Sequence, residues 1–189
     1  NQGRPFREED RLSLPVNGLV PADYYTVARL NAEAKHRSMS GLRIVDLRIF
    51  AYFSRYAECS LGYFMTDVLQ AILEKRELET RPWDMVRDYA APEDLFALIR
   101  LCIGRRELNT ALDVYSAAPV GKFELLTEMG RKFGLRYRLT AGTDNALPNG
   151  EKTVYCSQMH RAADLGYRPR YTSLAGLLKE TGLRLEMER

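Results

Sequence analysis

Tyr24-Tyr25-Thr26-Val27-Ala28-Arg29-Leu30-Asn31-Ala32-Glu33-Ala34-Lys35-His36 is followed, after a short break, by Leu42-Arg43-Ile44-Val45-Asp46-Leu47-Arg48-Ile49-Phe50. The first run predicts a helix, because Ala28, Ala32 and Ala34 are strong helix formers and Asp23 stands where a cap belongs. Ser40-Gly41 ends it. The second run is aliphatic and β-branched over strand length. A helix that feeds a mostly apolar strand through a glycine turn predicts one arm of a parallel α/β sheet.

Tyr25 and Arg29 are four residues apart in that helix, so they share a face. An isolated phenol titrates near pH ~10, too high for proton exchange at neutrality. A fixed cation one turn away favours the phenolate and makes such a tyrosine a candidate general acid/base. The alternative is a packed aromatic beside a solvated charge, and spacing alone does not separate the two.

The remainder of the composition bounds the function. The 189 residues can bury a sizeable core as one domain or slightly more. With 28 basic against 25 acidic residues the net charge is +3, too little for a nucleic-acid footprint. Cys59, Cys102 and Cys156 are widely spaced with no Cys-x-x-Cys pair, which speaks for a reducing compartment and against structural zinc. No apolar run reaches the ~18 residues that span a bilayer, and no signal pattern opens the sequence. The expected location is cytoplasmic, with neither membrane nor nucleic acid as partner.

Together, Tyr25 to Glu33 and Leu42 to Phe50 resemble the extended short-chain dehydrogenase/reductases, specifically the sugar-nucleotide epimerases and dehydratases with their Tyr-x-x-x-Lys helix and Leu-Arg-Ile-Phe-Asn strand. Three further stretches agree in order. Arg87-Asp88-Tyr89 with Asp94 resembles the family's Arg-Asp-Tyr segment. Asp113-Val114-Tyr115-Ser116 with Phe123-Glu124-Leu125 resembles the strand and helix that follow it. Arg161 to Pro169, then Ser173-Leu174, resembles the closing Leu-Gly-aromatic segment. The resemblance is to the second half of that family only.

It implies an α/β fold: the C-terminal portion of a Rossmann-type enzyme with a small α+β substrate-binding domain. Residues 1–50 would be a remnant of the dinucleotide-binding domain, comprising an arm, the tyrosine helix and a strand. Residues 51–189 would be mainly the substrate-binding domain, with 87–118 packing back on the cofactor-domain sheet. It further implies Tyr25 and Arg29 as catalytic residues, Arg29 also as a cofactor contact, and Arg87 and Tyr89 as substrate-binding residues. The complete protein would use NAD or NADP, bind a nucleotide sugar, and form a homodimer through the Tyr25 helix. An Arg87 ion pair with Asp88 or Asp94 is the competing role for that guanidinium.

Departures from the family pattern are equally specific. None of the thirteen glycines falls into Gly-x-Gly-x-x-Gly, so nothing presents bare backbone and a helix N-terminus to a dinucleotide pyrophosphate. The family's catalytic Ser or Thr strand would precede Asn1. Ala51 stands where the family has a substrate-binding Asn, with Ser54 or Arg55 as the nearest substitutes. Leu147 to Glu151 lacks the family's second phosphate-binding arginine. Arg29 replaces a lysine, which changes a compact ammonium into a planar fork. The chain alone is therefore expected to be inactive. The other function classes are a non-catalytic interaction module and a polyanion binder using Arg87 with the Arg136/Arg138 strand.

Elsewhere the periodicity predicts helices over Leu61 to Lys75, from Pro92 to Gly104, through Phe123, Leu126, Met129 and Phe133, over Met159 to Leu165, and from Thr172 or Ser173 through Glu180 with Gly182 closing it. The Pro92 helix has so little polar face that burial on most sides is expected. A strand is expected over Ala111 to Ala117, and another over Leu135 to Leu139 at a half-exposed edge. Residues 1 to 23 read as a proline-broken arm and 141 to 150 as a loop. Trp83 reads as core, Asp94 as a helix-start charge and His160 as a surface histidine.

Overall fold

The computed structural model describes residues 16–21, 23–140, 153–158 and 160–189. The arm at 1–15 and the 141–150 loop lie outside the described residues. Helix α1 runs Asp23–Ser38 and strand β1 Val45–Ile49. Asp23 is the first helical residue rather than a forward cap: its carboxylate accepts from the Val20 N–H, 3.0 Å away. Helix α1 has no buried residue.

After β1 come β2 (Ala51–Tyr52), α2 (Phe64–Leu73), β3 (Glu77–Thr80), β4 (Val86–Arg87) and β5 (Tyr89–Ala90). The chain continues with α3 (Pro92–Ile103), β6 (Thr110–Val114), β7 (Val120–Gly121), α4 (Lys122–Phe133), β8 (Arg136–Leu139), β9 (Val154–Tyr155) and α5 (Ser173–Met187). Pairing is mostly parallel, as the aliphatic strands predict: β1 with β6, β2 with β5, β3 with β8 and β4 with β9. Among the described strands only β4 with β7 is antiparallel.

The core divides in two. The larger cluster joins Met65, Val68 and Leu69 of α2, Leu125, Leu126 and Met129 of α4, and Leu177 of α5. The smaller joins Leu98 of α3, Leu112 and Val114 of β6, Tyr115 and Tyr167. Burying each such aliphatic side chain contributes about 1.5–3 kcal/mol.

Several boundaries differ from expectation. Gly62, at φ 65°, splits the Leu61 helix into a short turn at Cys59–Leu61 and α2, which leaves Leu61 53% exposed. Of α3, only Asp94 and Leu98 are buried, while Phe96 and Ile103 face outward. An apolar helix needs neighbours on all sides to be covered, and this one has them on one. Arg161–Leu165 forms a single 3-10 turn. Gly182 does not end α5, which continues five residues beyond it with that glycine beside the Phe133 ring. Gly134 does end α4, at φ 73°. Trp83 is half-buried under Arg81 and belongs to neither cluster.

Candidate functional site

With nothing of α1 buried, polar contacts seat it. Arg48 on β1 holds Glu33 through two bonds, Nε to Oε1 at 2.9 Å and Nη2 to Oε2 at 2.5 Å. Its Nη1 lies 3.7 Å from the buried Asp113 on β6. One turn on, Arg37 donates to Asp46 at 2.9 Å and His36 Nδ1 lies 2.8 Å from the same carboxylate. Asn109 donates to the carbonyls of His36 and Met39. All of these grip the C-terminal half of α1.

Tyr25 and Arg29 sit on the other half, both exposed, with Tyr25 at 67%. The Arg29 Cζ lies 5.1 Å from the centre of the Tyr25 ring, so the guanidinium stacks over the π face. Phenol and cation thus share one open surface.

The segment 87–90 sends successive side chains to different places. Arg87 is half-buried and donates Nη1 to the Val86 carbonyl at 2.9 Å. Burial lowers its pKa from the usual arginine value. Among the described residues it forms no ion pair with a carboxylate, because both candidate partners are engaged elsewhere. Asp88 accepts from the Ser116 N–H at 2.9 Å and from the Ser173 hydroxyl. Asp94 accepts from the backbone N–H groups of Arg170 and Tyr171 at 2.9 and 3.0 Å. It stands in the first turn of α3, as its position suggests, and is buried there as a tie to the loop before α5.

Tyr89 turns its ring against the larger core, and burial pushes its phenol up to about 12. Of the four predicted site residues, Arg87 lies over one further side chain, Tyr155, whose phenol also feels the charges of Tyr25 and Arg29, while Tyr89 packs against the larger cluster.

Tyr155 is the residue the sequence did not single out. Arg87 and Tyr155 are register partners on β4 and β9. The guanidinium lies 5.9 Å from the centre of the Tyr155 ring, which meets Phe50 at 5.0 Å and a 60° tilt. Burial raises the Tyr155 phenol, which also sits in the electrostatic fields of Tyr25, Arg29 and Asp113. Thus Phe50, just after β1, and Arg87 on β4 meet this ring, and charges on α1 and β6 act on its phenol. Only an aromatic five residues past the 141–150 loop marked it in the sequence. The Glu33–Arg48 clamp had a clearer signal, since Glu33 is eight residues from Tyr25 and on the same face.

Two other expectations are corrected. Arg55 cannot stand in for the asparagine missing at Ala51, because it is locked onto buried Glu180 through its backbone N–H, Nε and Nη2 at 2.9, 3.0 and 2.8 Å. Arg138 is held by Glu77 and Glu79, and Arg136 by the Lys75 carbonyl. The two acidic partners leave that strand little net field for a polyanion. His160 is exposed as expected and stacks on Tyr115 at 3.8 Å. Among the described residues no cluster of His, Cys, Asp or Glu could hold a metal ion, and no helix is long and apolar enough to cross a membrane.

No sequence-family model matches the chain, and no curated protein matches it by sequence. Solved structures match it by fold. The dTDP-glucose 4,6-dehydratase of Bacillus anthracis in complex with NAD matches with a TM-score of 0.76 at 15% identity, covering 100% of this chain and 58% of that one. The UDP-glucose-4-epimerase of Stenotrophomonas maltophila, with bound NAD and formylated UDP-arabinopyranose, gives 0.72 at 18% identity, covering 98% and 59%. The UDP-glucuronic acid 4-epimerase of Bacillus cereus, in complex with UDP-glucuronic acid and NAD, gives 0.71 at 15%, covering 95% and 58%. The chain has the α/β fold of the C-terminal part of Rossmann-type extended short-chain dehydrogenase/reductases, as the ordered motifs imply. It spans less than two thirds of the length of these structures.

Proposed function

We propose that the chain is the substrate-side portion of an NAD(P)-dependent sugar-nucleotide epimerase or dehydratase. The observation that carries this is the stack of Arg29 on Tyr25 together with Arg87 over the ring of Tyr155, a guanidinium with no carboxylate partner among the described residues. The charges of Tyr25 and Arg29 act on the Tyr155 phenol, so a phenol suited to proton transfer and a guanidinium suited to phosphate share one electrostatic neighbourhood.

In this reading the Tyr25 oxygen, as phenolate, accepts the proton of a sugar hydroxyl, with the Arg29 guanidinium over its ring. Arg87 pairs with a phosphate, and its partial burial strengthens that pairing by excluding water. The nicotinamide cofactor would supply hydride acceptance at the same sugar carbon. Arg29 is the residue of this chain that would contact the cofactor. With no glycine-rich loop for the pyrophosphate, the chain alone is expected to be inactive. The β1–β6 pairing favours residues 87–118 packing back on a sheet shared with 1–50, and the exposed Tyr24 and Leu30 favour α1 as a homodimer face.

The test is titration of the chain with uridine diphosphate and UDP-glucose, followed by amide chemical shifts. Binding is expected to perturb Arg87 and Tyr155 and to weaken on the order of tenfold in Arg87→Ala, the scale of one lost charge-assisted contact. Tyr25→Phe should leave that affinity intact. Absence of binding to the unaltered chain overturns the proposal. The stacking of Arg29 on the ring of Tyr25 also suits a non-catalytic interaction module, which the same negative result would favour.

A further inference from the structure

A second cationic site lies away from the Tyr155 cluster, on the outer side of α3. There Ala97 and Arg100 of the helix, with Gly166, Tyr167, Arg168 and Arg170 of the loop leading to α5, line a groove of about 400 Å³. Its walls are fixed from within. Tyr167 is 1% exposed and donates its hydroxyl to the Tyr115 carbonyl at 2.9 Å. Gly166 turns at φ 92°, where a side chain would be strained. Both oxygens of Asp94 are used on the N–H groups of Arg170 and Tyr171, so the arginine-bearing loop is pinned to the start of α3.

The guanidiniums in this groove differ from those elsewhere. Arg48, Arg55, Arg138 and Arg184 each have a carboxylate partner. Among the described residues, no ion pair involves Arg100, Arg168 or Arg170. Arg168 spends Nη1 on the carbonyls of Ala163 and Tyr167, at 2.9 and 2.7 Å, which holds its plane in place without neutralising it. Arg100 lies over the Phe96 ring, 6.0 Å from its centre. Three cations along one concavity repel each other, and a multiply charged anion relieves that repulsion.

We propose that this groove binds a compact, multiply charged phosphate compound, with Arg100, Arg168 and Arg170 as its ligands. A guanidinium fork pairs bidentately with phosphate oxygens, and the volume lies within the range of small-molecule sites. Glycine at 166 keeps the approach to the turn open. The inference does not depend on the nucleotide-sugar reading, since none of its residues belongs to the Tyr155 cluster.

Calorimetric titration of the whole chain with sodium pyrophosphate in low salt tests it, with the Gly166 and Leu101 amide shifts read in parallel. Saturable binding is expected, weakening on the order of tenfold in each of Arg100→Gln, Arg168→Gln and Arg170→Gln. Arg87→Ala should leave the response of Gly166 unchanged. All four positions lie outside the hydrophobic clusters, and a circular dichroism spectrum confirms that each variant folds. Titration with uridine diphosphate distinguishes free phosphate recognition, with the same affinity at Gly166, from a site that also contacts a nucleoside, with a higher one. Absence of saturable binding, or binding lost in Arg87→Ala but retained in the groove variants, overturns the proposal.

Discussion

Neutralising Glu33 tests how α1 is held. A helix with nothing buried gains little from the hydrophobic effect, so its docking rests on Arg48–Glu33, the Asp46 contacts and Asn109. The Glu33 and Arg48 side chains are 21% and 35% exposed, between a surface pair and a buried one. Exposed pairs contribute ~0.2–1 kcal/mol, and hydrogen bonds to charged groups ~1.5–3 kcal/mol. Glu33→Gln is therefore expected to cost about 1–2 kcal/mol, the lower part of the combined range, because Arg48 can move towards Asp113 only 3.7 Å away. In hydrogen exchange, the α1 amides should exchange roughly 5- to 30-fold faster, while α2 and α4 stay unchanged.

Arg48→Met should cost more, about 3 kcal/mol, because it leaves the carboxylate of nearly buried Asp113 without its cation. Burial already pushes the Asp113 carboxyl above its usual value, against the opposing fields of Ser157 and Arg48. Without Arg48 it rises further, so the Arg48→Met penalty should shrink as pH falls from 8 into the acid range. If the two substitutions cost the same, or if Glu33→Gln accelerates exchange throughout the molecule, polar docking of α1 is refuted.

Arg55→Ala strands Glu180, which is 1% exposed, and should cost about 3–5 kcal/mol by urea denaturation. Replacing both partners by apolar residues should recover most of that loss, and a cost for the single variant below that of a surface pair would contradict the burial. Burial raises the Asp88 carboxyl above its usual value, so the native state keeps the proton longer than the unfolded chain. Stability relative to Asp88→Asn should then fall as pH rises from about 4, and a rising difference would reverse the assignment. Tyr167→Phe removes the only hydroxyl bonded to the Tyr115 carbonyl among the described contacts, and should cost about 1–2 kcal/mol in thermal or urea unfolding. No measurable change would mean that water replaces the bond.

What the sequence could carry was periodic or local. The α1–β1 order was legible because alanines, Ser40-Gly41 and the Val45–Ile49 run each act on their own neighbourhood. The Pro92 helix was placed correctly but its burial misjudged, since apolar composition states what a helix could bury and only its neighbours determine what it does bury. The ties made by Asp94 and Arg55 went unread for the same reason. Their partners, Arg170, Tyr171 and Glu180, are 76, 77 and 125 residues away, and no local pattern encodes such contacts. Tyr25 and Arg29 were readable as a pair through helical spacing, whereas Tyr155 enters only through the β4–β9 register.

The contacts made by α5 bear on the order in which the chain can be completed during synthesis. Leu177 closes the larger cluster, Glu180 receives Arg55, and Ser173 joins Asp88 and Ser116. A nascent polypeptide delivered only through Arg170 holds α2 and α4 but leaves an apolar gap where Leu177 packs and leaves Arg55 without Glu180. Closure of such distant contacts is slow compared with helix formation. Arrival of α5, and not of the motif-rich residues 1–50, fills that gap.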